Sequence, residues 1–289
     1  MASHADDHYY VPHHSHWPVV GSIGLLFLMV GVSTWLNGND PGFWVMMTGF
    51  AVIIFMVTGW FRDVIDESLS GLYNQQVDAS FRMGMLWFIF SEVMFFAAFF
   101  GALFYARNLA VPWLGGADNN FFTNILLWTG YESTWPTNGP GEIGGTFETM
   151  GPLGLPLLNT VLLLTSSVTI TIAHHALIEG KRGILTVFLG LTIALGFTFL
   201  YFQGVEYVHA YQDLNLRLTS GIYGSTFFML TGFHGLHVTL GAIMLTIIFV
   251  RVLKGHFTTD NHFAFEAVAW YWHFVDVVWV GLYIFVYWL

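Results

Sequence analysis

Charged residues are so scarce in this chain that they act as punctuation. None occurs between Asp7 and Asp40, none between Asp40 and Arg62, and only Glu92 interrupts the interval from Arg82 to Arg107. A helix crossing the hydrocarbon of a bilayer needs about 20 mainly apolar residues, and these intervals supply them. Lipid offers the backbone no hydrogen bonds, so segments of this length read as helices rather than the roughly 10-residue strands of a barrel. Seven spans follow, over 19–37, 43–61, 82–106, 155–178, 184–207, 223–250 and 264–288, with a long outer connection over 108–154. The chain, 1–289, reads as a single all-α integral membrane domain.

Composition agrees. Only 9% of residues are charged and 55% are hydrophobic, whereas a soluble domain carries about 25% charged residues. The absence of cysteine excludes disulfides, thiolate metal sites and a cysteine nucleophile. A formal net charge of −10 argues against nucleic acid as a partner. The N-terminal stretch "MASHADDHYYVPHHSHWPVV" lacks the basic region of a cleavable signal, so the first apolar segment is expected to remain as a span. Six of the eight basic residues, Arg62, Arg82, Lys181, Arg182, Arg251 and Lys254, share one side of the membrane; only Arg107 and Arg217 fall on the other. The positive-inside rule then puts the N-terminus inside and the C-terminus outside.

The informative residues are the polar ones within the spans. Glu92 lies ten residues into the third, about 15 Å from its start, where a charge is costly. It reads as a functional carboxylate or as a neutral group bonded to a neighbouring helix. Asp276, halfway along the seventh span, has His273 or a histidine of the sixth span as candidate partners. Glu206 and Glu266 lie nearer span ends, where water explains them. His234 and His237 in "TGFHGLHVTL" share a helix face and could ligate a haem or metal together; equally, they could be hydrogen-bonded interior residues. His4, His8, His13, His14 and His16 read as an exposed tail, and His174 and His175 as interfacial polarity. Trp60, Arg62, Arg251 and Lys254 sit where aromatic belts and snorkelling cations belong, at a depth that suits anionic headgroups. Glu92 with Asp276 could also serve a seven-helix proton transporter, although no paired, broken helices of the transporter kind occur.

The stretches "WFRDVIDES", "FRMGMLWFIFSEVMFF", "PLLNTVLLLTSSVTITIAHHALIEG", "GIYGSTFFMLTGFHGLHVTLGA" and "NHFAFEAVAWYWHFVDVVWVGLYIFVYW" together cover most of the chain. In this it resembles subunit III of the haem-copper cytochrome c oxidases. The resemblance implies seven helices in two groups, two plus five, separated by a V-shaped cleft filled with phospholipid. It implies no cofactor in this chain beyond bound phospholipid, with haem and copper in partner subunits I and II. Cytochrome c would be met only through subunit II. Supporting proton uptake, stabilising subunit I and delaying its inactivation are the roles implied. Glu92 matches the family's buried carboxylate; Trp60, Arg62 and Glu67 match positions beside the cleft, and Arg251 and Lys254 basic residues near lipid headgroups. His234 and His237 match a pair that ligates nothing there and so become interior polar residues, with His273 and Asp276. Phe61 and Asp66 depart from the usual pattern, and the outer connection is longer than in mitochondrial members. That length favours a bacterial inner membrane. A quinol-oxidase subunit III, a proton transporter and a histidine-ligated haem or metal enzyme are the competing readings.

Overall fold

The computed structural model describes residues 9–12 and 14–288, and among them there is no strand. Seven helices are long and apolar enough to cross a membrane. They are α1 (Trp17–Leu36), α2 (Pro41–Leu69), α3 (Gln75–Tyr105), α6 (Leu155–Ile178), α7 (Arg182–Gln212), α8 (Gly221–Leu253) and α9 (Phe263–Leu282). Helix α3 continues through a π-helical turn, Ala106–Ala110, into the short α4 (Val111–Leu114), and α9 runs on into a π turn over Tyr283–Trp288. The apolar stretch of the long connection forms α5, Phe121–Leu127, with Phe122, Leu126 and Leu127 exposed.

Several helices overrun the spans expected from charge spacing. Helix α2 has 29 residues, about 44 Å at 1.5 Å per residue, against roughly 30 Å of hydrocarbon. Its last turns therefore extend beyond the apolar zone and carry Arg62, Asp63, Asp66 and Glu67. The reason is general: a charge marks where lipid ends, but a helix stops only where its backbone is capped. For α6 and α8 the cap is a glycine with positive φ, Gly180 at +72° and Gly255 at +73°. Beyond each glycine the next N–H reaches back to a carbonyl five residues earlier, Lys181 to Ala176 and His256 to Arg251, satisfying an otherwise orphaned acceptor.

The chain divides into two compact units, Met1–Met83 and Gly84–Leu289. In the first, α1 and α2 pack with glycines at the contact. A Cβ on Gly31 would strike the Met46 backbone, and one on Gly49 the Leu28 backbone. Small residues here let the two backbones approach, the usual basis of helix association in lipid.

The second unit is held by aromatic wedges tied down with hydrogen bonds. Trp272 is fully buried in a slot between Gly196 and Gly241, where an added Cβ would lie 2.8 and 2.9 Å from the indole. Its Nε1–H donates to Ser166 Oγ at 2.9 Å. Trp279, about two turns further along the same face of α9, donates to Thr160 Oγ1 at 2.9 Å and packs edge-on against Phe199. The Thr169 and Thr192 hydroxyls join α6 to α7 at 2.8 Å, and Tyr207 and Thr231 join α7 to α8 at 2.7 Å. The outer connection is anchored on the α7–α8 turn, with Glu148 N–H donating to Leu214 O and Asn215 Nδ2 to Thr146 O.

Replacing Gly31 by Leu is expected to force α1 from α2 at a cost of about 1–3 kcal/mol, the range for overpacked contacts. A lowered thermal midpoint of the detergent-solubilised protein checks it; an unchanged midpoint would show that the close approach is not stabilising.

Candidate functional site

In the second unit a carboxylate of α3 meets a histidine of α8. Glu92 Oε2 lies 2.9 Å from His237 Nε2, although 145 residues separate them. The other ring nitrogen, Nδ1, is 2.6 Å from the Phe233 carbonyl, one turn back along α8. A carbonyl only accepts, so Nδ1 carries a hydrogen. Nε2 and Oε2 must then share a proton, either on the carboxyl of Glu92 facing a neutral imidazole or on an imidazolium facing a carboxylate. Both arrangements are neutral as a pair. The rings of Phe95 and Phe96 flank His237 at centroid distances of 5.8 and 4.9 Å and keep its surroundings apolar.

His234, one turn earlier, is turned elsewhere. Fully buried, it donates from Nε2 to the Val275 carbonyl of α9 at 3.0 Å, leaving Nδ1 as an unprotonated nitrogen without a partner. The HGLH pair therefore faces two different helices. Asp276 is buried and neither carboxyl oxygen has a hydrogen-bond partner; His273 Nδ1 stands 3.9 Å from Oδ2 and instead contacts Ser167 Oγ at 2.7 Å. Of the histidines expected near Asp276, none makes a close hydrogen bond with it.

Glu206 differs from its sequence reading as a residue explained by water near a span end. Helix α7 continues to Gln212, so Glu206 lies inside it, fully buried, and accepts a hydrogen bond from the Tyr287 hydroxyl. Only the overrun of α7 distinguishes this position, and charge spacing does not reveal it. Arg251 is buried, with its guanidinium carbon 4.5 Å from the Phe257 ring centroid, a contact in which the aromatic face offsets part of the lost solvation. Lys254 is exposed.

At the water-side end of α2, Glu67 gathers two tyrosines. Tyr73 donates to Oε2 at 2.7 Å and Tyr10 to Oε1 at 3.0 Å, while Trp17 Nε1 donates to Asp63 at 2.7 Å. These bonds fasten the segment before α1 to the end of α2. Trp60 is half-exposed, and Arg62 faces Asp66 at 3.9 Å in an exposed pair of little energetic weight. His14 and His16 are exposed; His4, His8 and His13 lie outside the described residues. Among the described residues one group of histidine and carboxylate side chains is close enough to hold a metal, His174, His262 and Glu266, and it does not include the HGLH pair.

The family model for cytochrome c oxidase subunit III matches residues 7–289. The chain belongs to the cytochrome c oxidase subunit III family. It is 41% identical over 287 residues to cytochrome c oxidase subunit 3 of Hippopotamus amphibius, covering 99% of this chain and 98% of that relative. The subunits 3 of Gadus morhua and Antilope cervicapra are 39% and 40% identical over the same length. A cytochrome c oxidase subunit III is an integral membrane component of a multi-subunit respiratory oxidase, and the seven apolar helices accord with that. The quinol-oxidase, transporter and self-contained haem-enzyme readings are not favoured.

Burial and the Glu67 carboxylate push the phenols of Tyr73 and Tyr10 above their ordinary range. A raised folded pKa stabilises fully below the unfolded phenol value and loses that contribution as pH rises through the folded one. Glu67→Gln is therefore expected to move the ultraviolet phenolate titration toward lower pH, with Tyr73→Phe identifying the band. An unshifted titration would show that Glu67 does not govern these phenols.

Proposed function

We propose that the chain is a non-catalytic subunit of cytochrome c oxidase, without a redox centre of its own, that stabilises subunit I, binds structural phospholipid and supports proton uptake. Haem and copper would belong to subunits I and II, and cytochrome c would be reached only through subunit II. The observation that carries this reading is the Glu92–His237 contact. The histidine whose spacing first suggests ligation has one nitrogen committed to a backbone carbonyl and the other to a carboxylate. What that arrangement offers is a partly buried, exchangeable proton rather than a metal seat.

Trp60, Arg62, Glu67, Arg251 and Lys254 would meet lipid headgroups. The exposure of Trp60, Arg62 and Lys254 at helix ends supports this, with the Arg62 side chain 82% exposed. The distribution of basic residues supports an N-terminus on the inner face and a C-terminus on the outer. The long connection supports a bacterial inner membrane as host.

Glu92→Gln and Glu92→Ala in the purified oxidase test the reading. The expected result is slower proton uptake or faster loss of activity during turnover, with haem content and spectra intact. Glu92→Ala also strips His237 of its partner and is expected to destabilise by about 1–3 kcal/mol. Turnover, pumping stoichiometry and inactivation rate all unchanged in both variants would remove Glu92 from the function.

A further inference from the structure

The cluster at the junction of α6 and α9 has chemistry that neither the Glu92 site nor the family assignment uses. His174 stands in the last turn but one of α6, His262 immediately precedes α9, and Glu266 lies one turn into it. One candidate ligand atom from each lies within 4.8 Å of the other two, and all three residues are partly buried. From these positions we infer that the chain holds a divalent transition-metal ion of the zinc type, bound by His174, His262 and Glu266, with a water completing the shell.

Several details point to coordination rather than to accidental proximity. Thr258 O accepts a hydrogen bond from His262 Nδ1 at 3.2 Å, so Nδ1 carries the hydrogen and Nε2 keeps its lone pair. This is the outer-shell bond that orients a ligating imidazole. His174 Nε2 is buried without a hydrogen-bond partner, an unfavourable position for an imidazole nitrogen unless something satisfies it. The His174 ring is held by stacking on Phe265, centroids 5.6 Å apart, and lies 5.7 Å from the His262 ring. His262 and Glu266 are four residues apart, and the Glu266 N–H donates to the His262 carbonyl, so the two side chains rise on one helical face.

The donor set selects the ion. Two imidazoles and one carboxylate suit zinc and its neighbours, whereas calcium and magnesium prefer oxygen alone. A tetrahedral zinc with bonds of about 2.0–2.1 Å sets its ligands about 3.3 Å apart, so the three atoms need to close by no more than about 1.5 Å. Adjustments of side-chain rotamer supply that much. Once bound, the ion ties the end of α6 to the start of α9 and fixes the 255–262 connection, on the end of the unit that carries Arg182 and Lys254.

The test uses the intact, purified oxidase complex, washed with chelator and titrated with zinc chloride, comparing parent, His262→Ala, Glu266→Gln and His175→Ala. Parent and His175→Ala are expected to bind one more zinc per chain than the other two, measured by elemental analysis. The zinc absorption edge should show two nitrogen ligands and oxygen. Removal of one ligand should weaken that zinc at least 10-fold, about the least that even an outer-shell partner contributes. Zinc should also raise the thermal midpoint of the parent, and not that of Glu266→Gln, as expected of a ligand that binds the folded state. Equal zinc content in parent and both ligand variants, or an edge spectrum without histidine nitrogen, overturns the assignment. Neither outcome touches the proposed role of Glu92, which the inference does not use.

Discussion

A side chain that can donate or accept a hydrogen bond has nowhere to do so in hydrocarbon except on another part of the same protein. Much of the Gly84–Leu289 unit follows from that restriction. Trp272 and Trp279 are not simply large apolar fillers; each brings an N–H that must be received, and Ser166 and Thr160 receive them. These bonds fix where α9 sits along α6. Hydroxyl pairs then join α6 to α7 and α7 to α8. Burial contributes little to such association when lipid is as apolar as leucine, so packing and polar contacts carry the specificity.

The Met1–Met83 unit solves the same problem with fewer polar groups. Its two helices meet through glycines spaced seven apart, Gly24 and Gly31 on α1, Gly42 and Gly49 on α2. The polar contacts of this unit concentrate where water begins, around Asp63 and Glu67. One unit is specified by shape along its apolar length, the other by hydrogen bonds within it.

This difference explains what could be read beforehand. The seven spans and the all-helical class are legible because lipid excludes charge, and only a few carboxylates, among them Glu92, Glu206 and Asp276, interrupt the apolar helices. Helix ends were less legible, since Glu67 and Gln212 belong to helices that outrun the membrane. Glu92 announced itself as a lone carboxylate, but its partner could not be found by spacing; His237 is 145 residues away, and only the packing of α3 on α8 unites them. Glu206 carries no such signal, because its depth depends on a helix end that charge does not mark. The His174, His262 and Glu266 group is invisible for a related reason: its members come from the end of α6 and the start of α9, which only tertiary contacts bring together.

The neutral bookkeeping of the Glu92–His237 pair has an electrical corollary. A proton passing between Oε2 and Nε2 travels at most the 2.9 Å that separates the heavy atoms. Across a hydrocarbon layer of about 30 Å, such a step samples about a tenth of the transmembrane voltage or less. It therefore feels no more than about a tenth of the ~2.3 kcal/mol that each ~100 mV exerts on a full crossing. The pair can rearrange internally with almost no regard for how strongly the membrane is energised. A proton entering from outside, by contrast, would add a whole charge to a surrounding of phenylalanine rings. Voltage and charge thus act on the approach to this site, and hardly at all on what happens within it.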